Sequence, residues 1–302
     1  MPRKNTSSTP LISVVIPCYK HAEYIARALR SVEEQTYPNI ELIIIDDASP
    51  DKSVEEIKNT IESKSFKKRF NHQVYFFPHQ DNRGAHTRIN EGLSRATGDY
   101  LTILNSDDVF HKERFTRMIH AMQESASRFA FSRVGYVFSN NQPDAALSEE
   151  TLKFSRMQDN IPYFPSVGFA MLVSQCGIST GNFVFTRKLL EKIGPFNDLK
   201  YCHDWDFALR ALAETEPLFV EDSLYFYRLH QSNSFRSLHN MAEQETAQVL
   251  TGYFTAILTG QVANPLAPSP KHWPSVFELF LEEYGFTRHF QTAQQHYYRT
   301  AA

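Results

Sequence analysis

The feature that most constrains the fold is a regular alternation of apolar runs with amphipathic helical segments over the first hundred residues. Each apolar run is short, rich in β-branched residues and closed by a turn, which is typical of a buried parallel strand. Strands are predicted at residues 11–17, 40–45, 74–77 and 100–104, and helices at residues 25–32, 54–61 and 85–96. This βαβαβαβ order predicts an α/β fold with a doubly wound, mainly parallel sheet and helices on both faces.

The second half of the chain adds elements of both kinds before it becomes wholly helical. Helices are predicted at residues 114–123, 188–193 and 205–213, and strands at residues 134–138, 181–185 and 218–227. Between residues 140 and 165 the periodicity fades, which is typical of a functional or flexible loop. From residue 239 onward the chain is predicted to be helical and is rich in aromatic residues.

Composition disfavours several classes of protein. A formal net charge of −3 argues against a nucleic-acid partner, and the basic run at residues 64–69 is interpreted as a solvated loop. Three cysteines without a C-x-x-C spacing indicate neither a disulfide framework nor a zinc site, and they fit a reducing cytosol. No window approaches the roughly 18 apolar residues that span a bilayer. We expect a cytoplasmic protein with at most a peripheral contact at the inner membrane face.

Acidic pairs follow two of the predicted strands at their carboxyl ends, where α/β sheets place their ligands. Asp46 and Asp47 follow the second strand, and Asp107 and Asp108 follow the fourth. Adjacent carboxylates repel each other, so a hard divalent cation that prefers oxygen ligands accounts well for the last pair. The alternative is a helix N-cap at Ser106 with acidic residues in the first helical turn.

The segment after the first strand, Pro17-Cys18-Tyr19-Lys20, contains no glycine-rich phosphate loop. The absence of G-x-G-x-x-G argues against a dinucleotide-binding dehydrogenase. The absence of G-x-x-x-x-G-K-[ST] likewise argues against a P-loop kinase or NTPase.

Five segments in a fixed order carry a resemblance to a known family. They read SVVIPCYKHAEYIARALRSVEEQTYPNIELIIIDDASPD, NRGAHTRINEGLSRATGDYLTILNSDD, GNFVFTRKLLEKIGPFN, HDWDFALRA and YRLH. Over residues 11–235 the chain resembles glycosyltransferase family 2, whose inverting members have the GT-A fold and use nucleotide-sugar donors. Agreement between the motifs and the alternating α/β pattern carries more weight than any one motif.

The resemblance also implies a division of the chain. A disordered segment is expected at residues 1–10, a GT-A domain at 11–238 and a C-terminal helical extension at 239–302. Within the GT-A domain, residues 11–108 would form the nucleotide-binding half and residues 109–238 the acceptor-binding half.

In such enzymes the carboxylate after the second strand reads the base of the nucleotide-sugar, and here that residue is Asp47. A carboxylate accepts the imide N–H of uracil or thymine, so a UDP- or dTDP-sugar is expected; an Asx-turn is the alternative. Pro17 and Tyr19 are expected to line the nucleoside pocket, with core packing as the alternative for Tyr19. Arg88 stands where the family often has an arginine that meets the diphosphate; its alternative is a surface helix arginine.

The family's D-x-D metal motif corresponds to Asn105-Ser106-Asp107, followed by Asp108. The resemblance implies Mn²⁺ or Mg²⁺ bound by Asp107, with Asp108 as a further ligand, a supporting residue or a helix cap. Asn105 is expected to bond the ribose or a metal-bound water, and Ser106 to line the donor site. His230 matches a position near the diphosphate, where a neutral imidazole is also a metal ligand.

Asp204 stands where inverting members of the family have their catalytic base. A carboxylate suits the task, because the acceptor hydroxyl loses its proton as it attacks the anomeric carbon. Capping the helix that begins there is a second role for Asp204. His203 replaces the usual glutamate and is interpreted as an acceptor contact, a metal contact or a structural residue. Gly181, Asn182 and Trp205 are expected to bind the acceptor together with His203.

The resemblance therefore implies a metal-dependent inverting glycosyltransferase that acts on a hydroxyl of a saccharide or lipid-linked acceptor, in surface polysaccharide or glycoconjugate synthesis. Two alternatives from other classes remain open. A sugar nucleotidyltransferase also uses an α/β sheet with a carboxylate-bound metal, but it needs a glycine-rich loop after the first strand. A catalytically inactive nucleotide-sugar-binding module is suggested by Asn105 and His203, which stand where the family usually has acids.

The segment at residues 239–302 lies outside the family's shared core. Trp273, Phe277, Phe280 and Tyr284 recur on one helical face, which must be buried against something. Packing onto the catalytic domain is one interpretation, and a homodimer contact or a peripheral membrane contact are the others. The segment has few lysines, which favours a protein contact over the membrane.

Overall fold

The structure is a computed structural model that describes residues 9–138, 149–230 and 239–301. The strands in these ranges are β1 (Ile12–Cys18), β2 (Ile40–Asp46), β3 (Val74–Pro78), β4 (Tyr100–Ile103), β5 (Val109–Phe110), β6 (Phe129–Phe138), β7 (Val184–Thr186) and β8 (Leu218–Leu229). They form one sheet in the order β3-β2-β1-β4-β7-β6-β8-β5. The predicted α/β fold is confirmed.

Twelve α-helices lie in the described ranges and cover both faces of the sheet. They are α1 (Ile25–Glu33), α2 (Ser53–Ile61), α3 (Lys64–Phe70), α4 (Ala85–Arg95), α5 (Arg114–Glu124), α6 (Glu149–Asp159), α7 (Val167–Val173), α8 (Arg187–Ile193), α9 (His203–Glu214), α10 (His239–Leu258), α11 (Pro274–Glu283) and α12 (Thr287–Ala301).

The sheet is parallel in its first half and mixed in its second. Strands β3, β2, β1 and β4 run parallel, whereas β7 is antiparallel to both β4 and β6. In the register of β1 and β2, Cys18 lies opposite Asp46, so the two strands end side by side. The loops that follow β1, β2 and β4 therefore emerge at one edge, where a ligand site of an open α/β sheet is expected.

The core lies on both faces of the sheet, and the central strand β2 buries every one of its side chains. In β2, Leu42 and Ile44 join the hydrophobic cluster formed with α1, α2, α3 and α5. Ile43 and Ile45 on the opposite face join a second cluster with α4, α9 and the C-terminal helices. A continuous apolar run without polar alternation is the sequence signature of such a strand.

Several elements differ from the sequence-based expectations. Residues 64–69 form most of α3 and are not a loop, because Phe66 and Phe70 are buried in the core. The strand predicted at 181–185 begins only at Val184, after a 3-10 turn over Thr180–Asn182. Part of the expected loop at 140–165 is the helix α6. Residues 139–148 and the first eight residues, for which a loop and disorder were expected, lie outside the described residues.

The aromatic face of the C-terminal helices packs against the preceding part of the chain. The ring of Phe169 in α7 lies 5.3 Å from the ring of Trp273 and 4.8 Å from that of Phe280. The ring of Tyr284 lies 5.8 Å from that of Phe164. Packing onto the preceding part of the chain thus accounts for the stripe. Among the described helices, none has both the length and the apolarity needed to cross a membrane.

Candidate functional site

Three loops at the carboxyl edge of the sheet are tied together by hydrogen bonds. After β1, the backbone N–H of Lys20 donates to Ser49 Oγ and that of His21 donates to Ser53 Oγ, both at 3.0 Å. The His21 ring then reaches the loop after β4, with Nδ1 lying 2.7 Å from Ser106 Oγ. The loops after β1, β2 and β4 therefore form one connected surface.

Asp47, at the end of β2, has a buried carboxylate with several donors. The backbone N–H groups of Arg83 and Gly84 each donate to it at 2.8 Å, and Arg88 Nε donates at 2.6 Å. Oδ1 accepts two of these hydrogen bonds and Oδ2 accepts one. Because a carboxylate oxygen has two lone pairs, Oδ2 retains one acceptor position.

Arg88 is buried, and each of its three guanidinium nitrogens donates a hydrogen bond to the protein. Its Nε bonds Asp47, its Nη1 donates to Glu91 at 3.0 Å, and its Nη2 donates to the Asp81 carbonyl at 2.5 Å. The alternative of a surface helix arginine is therefore wrong. The structure joins Arg88 to Asp47, and the ion pair between them keeps both side chains in a fixed position.

Tyr19 and Pro17 lie at the end of β1, beside Asp47. Pro17 belongs to the strand, whereas the Tyr19 side chain is 39% exposed. Lys20 Nζ lies 4.9 Å from the centre of the Tyr19 ring. Core packing therefore does not describe Tyr19, whose side chain is partly exposed to solvent.

Asp108 points into the protein and not toward the edge of the sheet. Its carboxylate accepts from the Arg228 backbone N–H at 2.7 Å, from Asn105 Nδ2 at 3.0 Å and from the Tyr225 hydroxyl. Asn105 Nδ2 also donates to Ser179 Oγ at 2.8 Å. Asn105 and Asp108 thus belong to a buried network that joins β4, β8 and the 179–182 segment.

Asp107 faces the opposite way, toward two imidazoles. His230 Nε2 lies 2.9 Å from Asp107 Oδ2, and His21 Nε2 lies 3.9 Å from the same oxygen. One ligand atom from each of the three side chains lies within 4.8 Å of the others. Two imidazole nitrogens and one carboxylate oxygen form a donor set that suits a divalent transition ion.

Tyr24 and Arg228 form the wall behind the two imidazoles. The Tyr24 ring stacks on His230 with centroids 5.1 Å apart, and the Arg228 guanidinium lies 4.9 Å from the Tyr24 ring centre. Arg228 Nε donates to the Asp107 backbone carbonyl at 2.6 Å. These contacts fix both the main chain of Asp107 and the plane of the His230 ring.

The two neighbouring aspartates have opposite electrostatic surroundings. Burial alone would raise the pKa of Asp107, but the hydrogen bond from His230 and the charge of His21 bring that pKa below its usual value. Burial and the charge of Asp107 raise the pKa of Asp108 well above its usual value. Asp107 is therefore the anionic member of the pair, as a cation ligand requires.

Asp204 lies in the first turn of α9, in contact with the side chain of Gln175. Gln175 Nε2 donates to Asp204 Oδ2 at 2.7 Å, and the Trp205 backbone N–H donates to Oδ1 at 2.7 Å. His203 Nε2 lies 3.2 Å from Thr180 Oγ1. Residues 175–180 thus connect the start of α9 with the Asn105 network, since Ser179 bonds Asn105.

Three residues that were expected to bind the acceptor lie in the interior. Asn182 is buried and its amide is used by Ser132, Gly177 and Arg114. A Cβ atom at Gly181 would lie 2.3 Å from the Tyr225 hydroxyl oxygen, so the position holds glycine for close packing. Trp205 is buried and its indole N–H donates to the Met171 carbonyl at 2.7 Å. Of the four residues with this expected role, only His203 remains a candidate for contact with the acceptor.

The sequence reasoning missed His21, Tyr225, Arg228 and Gln175. His21 stands three residues after β1, close to a strand end of the kind that builds ligand sites, so its position was an available signal. Arg228 stands two residues before His230 in YRLH. Tyr225 and Gln175 offered no such signal, because their partners are distant in sequence.

Comparison with known proteins agrees with this architecture. Residues 13–194 match the family described as Glycosyl transferase family 2. An uncharacterised glycosyltransferase of Rickettsia typhi is 24% identical over 292 residues, which cover 96% of this chain and 86% of the relative. The similarity to this relative therefore extends beyond the matched family region.

Two solved structures are similar in fold. S. aureus TarS 1–349 in complex with UDP-GlcNAc has a TM-score of 0.58 at 19% identity, over 82% of this chain and 66% of that chain. The mannosyltransferase PcManGT of Pyrobaculum calidifontis, in complex with GDP-Man and Mn²⁺, has a TM-score of 0.59 at 16% identity, over 84% and 65%. This chain thus spans slightly less than two thirds of each, and identities this low establish the fold alone.

Proposed function

The chain belongs to glycosyltransferase family 2, and from this premise we propose that it is a metal-dependent inverting enzyme. It would transfer a sugar from a UDP- or dTDP-sugar to a hydroxyl of a saccharide or lipid-linked acceptor. The observation that carries the proposal is the cluster of His21, Asp107 and His230 at the carboxyl edge of the sheet. The loop of His21 is hydrogen-bonded to the segment that follows Asp47, through Ser49 and Ser53.

The metal proposal rests on the donor set and on charge. Asp107 and His230 offer one carboxylate oxygen and one imidazole nitrogen 2.9 Å apart, which fits Mn²⁺ or Mg²⁺ with open positions for a diphosphate. A bound divalent ion would neutralise the charge that grows on the leaving nucleoside diphosphate. Asp108 is not included among the ligands, because its carboxylate oxygens are occupied by protein donors.

The pyrimidine preference rests on Asp47. Its Oδ2 retains an acceptor position, and a uracil or thymine imide N–H is a matching donor. Arg88 is proposed to hold Asp47 in its orientation instead of contacting the diphosphate, since the Arg88 side chain is buried and bonds Asp47, Glu91 and the Asp81 carbonyl. Tyr19 would pack on the nucleoside with its exposed face. TarS is seen with UDP-GlcNAc and PcManGT with GDP-Man, so the fold by itself leaves the base open.

Asp204 is proposed as the general base. Gln175 donates to one of its oxygens and the helix backbone to the other, so the carboxylate is oriented and retains lone pairs for the acceptor proton. The acceptor oxygen would attack the anomeric carbon from the face opposite the leaving diphosphate, which inverts that centre. His203, which directly precedes Asp204, would contact the acceptor.

The test compares Asp204→Asn with the wild type in two assays, donor affinity by calorimetry and transfer to an acceptor. We expect unchanged affinity for the UDP-sugar and a transfer rate lower by about 100-fold or more, as for the loss of a positioned base. Asp206→Asn on the same helix is the matched control, because Asp206 pairs with Arg210 at 2.9 Å and not with Gln175. A collapse of donor affinity in Asp204→Asn would place that residue in the nucleotide site.

The same assays separate the alternatives. Binding of GDP as tight as that of UDP would contradict the role of Asp47. Donor binding by the wild type without transfer or donor hydrolysis would favour a catalytically inactive binding module.

A further inference from the structure

We propose that His21 is a metal ligand, which makes the site a 2-His-1-carboxylate centre that selects Mn²⁺ and related transition ions over Mg²⁺. The inference rests on the proposed function for Asp107 and His230 and adds a third ligand from a different loop. It also replaces the open choice between Mn²⁺ and Mg²⁺ with a definite preference.

The distances fit a common ion. Atoms bonded to one divalent ion at about 2.1 Å lie about 3 to 4 Å apart, depending on the angle between the bonds. The two imidazole nitrogens lie 2.9 Å and 3.9 Å from Asp107 Oδ2. The rings of His21 and His230 lie 6.0 Å apart at 79°, so neither ring stacks over the nitrogen of the other. Small side-chain movements would place all three atoms around one ion.

The His21 ring is already held in the orientation that a ligand needs. Its Nδ1 lies 2.7 Å from Ser106 Oγ, which turns Nε2 toward Asp107. Metal-bound histidines commonly use the other ring nitrogen in such a hydrogen bond, which fixes the tautomer and the ring plane. The His21 backbone N–H donates to Ser53 Oγ at 3.0 Å, so the main chain is held as well.

Ser106 couples the two ligands. It directly precedes Asp107, and it contacts the His21 ring through its side chain. One turn of backbone after β4 thus sets the positions of both His21 and Asp107. The Tyr24 ring closes the site behind the imidazoles, 5.1 Å from His230 and 5.9 Å from His21.

The chemistry of the donor set determines the preferred ion. Mg²⁺ prefers oxygen ligands and keeps much of its water, whereas imidazole favours first-row transition ions. A site with two imidazoles and one carboxylate therefore binds Mn²⁺ more tightly than Mg²⁺. Without His21, the difference in affinity between the two ions should be smaller.

The test measures metal binding directly on the 302-residue chain, with MnCl₂ as the probe, in the presence and absence of UDP. Electron paramagnetic resonance reports free and bound Mn²⁺, and pulsed measurements report the couplings of coordinated imidazole nitrogens. The wild type should show two nitrogen ligands, and Mg²⁺ should displace Mn²⁺ only at a large excess. His21→Ala should show one nitrogen ligand, an Mn²⁺ affinity lower by about 10- to 100-fold and a smaller preference over Mg²⁺.

Two further variants make the result decisive. His21→Gln keeps the size and polarity of the side chain and should lose the same nitrogen coupling, which excludes a folding defect as the cause. His120→Ala removes an exposed histidine of α5 that pairs with Glu124, and it should leave both nitrogen couplings unchanged.

An unchanged nitrogen count and unchanged Mn²⁺ affinity in both His21 variants would overturn the inference. If the His21 variants lose Mn²⁺ binding only when UDP is present, His21 contacts the donor phosphates. The inference that His21 is a metal ligand would then also be wrong. If the wild type binds Mn²⁺ through two imidazoles but neither binds nor turns over a nucleotide-sugar, the proposed function is wrong and the inference about His21 stands. Absence of Mn²⁺ binding by the wild type, with and without UDP, would overturn both.

Discussion

At the scale of single residues, Asp107 and Asp108 are adjacent in sequence but face opposite environments, and one substitution in each separates their roles. Asp107→Asn removes the charge opposite His230, so we expect Mn²⁺ affinity to fall by about 10- to 100-fold or more with little change in folding. Asp108→Asn keeps a carbonyl for the Arg228 backbone N–H and should retain Mn²⁺ binding.

Titration of both variants with Mn²⁺, alongside thermal unfolding, checks this prediction. Retained Mn²⁺ binding in Asp107→Asn together with its loss in Asp108→Asn would reverse the assignment of the ligand. If Mn²⁺ affinity and melting temperature fall in both variants, the two aspartates affect metal binding only by stabilising the fold.

The sequence predicted Asp107 and His230 as neighbours of one ion, and the structure places them 2.9 Å apart. The family resemblance sufficed for them, because Asp107 stands in the segment that matches the D-x-D motif and His230 stands in YRLH. It did not suffice for Asn182, since the type of a polar residue does not show whether it faces the solvent or the interior. Whether a side chain is buried depends on strands and helices that are distant in sequence.

At the scale of the elements, the start of α9 depends on a helix from the C-terminal segment. The residue at its N-cap, Cys202, makes no side-chain cap hydrogen bond. Glu245 of α10 supplies the acceptors instead: its carboxylate accepts from the backbone N–H of Lys200 at 3.0 Å and from those of Tyr201 and Cys202 at 2.8 Å. Anionic groups are favourable at a helix N-terminus, so this contact stabilises the turn that presents Asp204.

We expect Glu245→Gln to lower the free energy of unfolding by about 2 kcal/mol, the usual range for hydrogen bonds to a charged group. Because the same contact orders the loop before Asp204, transfer should slow while donor affinity stays unchanged. Urea unfolding, calorimetry and transfer assays measure the three quantities. Glu243→Gln, at an exposed position of the same helix, is the matched control. Equal effects of the two substitutions would contradict the capping role.

The pH dependence of this effect has a definite sign. Burial alone would raise the pKa of Glu245, but the three backbone N–H groups lower it below the usual value. A depressed folded-state pKa contributes stability above the unfolded-state value of about 4.3 and loses it as pH falls through the folded-state value. The difference between the wild type and Glu245→Gln should therefore be full at pH 7 and shrink in acid.

The sequence predicted most of the elements but not how α9 is capped. Helical periodicity located α9 and a continuous apolar run located β2, because both signals are local. The capping carboxylate stands more than 40 positions away from the helix it stabilises, and no local pattern connects them. The short strand β5 was missed for a related reason, since two residues are too few to show a period.

At the scale of the whole molecule, the C-terminal helices and the sheet share one hydrophobic cluster. It includes Val15 of β1, Phe169 of α7, Phe254 of α10 and Phe277 of α11. The segment that sequence analysis set apart as an extension thus supplies part of the core that supports α9. A chain ending at residue 238 would expose this apolar surface, and we expect it to be insoluble or unfolded.

Phe277 tests that shared core without removing the helices. It is buried, and its ring lies 5.4 Å from that of Phe290 and 6.4 Å from that of Phe254, so Phe277→Ala leaves a cavity between α10, α11 and α12. We expect the free energy of unfolding to fall by about 3 to 5 kcal/mol. Leu279→Ala on the same helix removes an apolar side chain that is 67% exposed, and such surface changes usually stay within about 0.5 kcal/mol. Urea unfolding, followed by fluorescence and by circular dichroism, measures the stability of both variants. Because the core is continuous, Phe277→Ala should shift the whole transition in both signals. A separate early transition confined to the C-terminal helices, with the remainder unfolding as in the wild type, would instead show that the extension folds on its own and that its contact with α7 adds little to the stability of the catalytic domain.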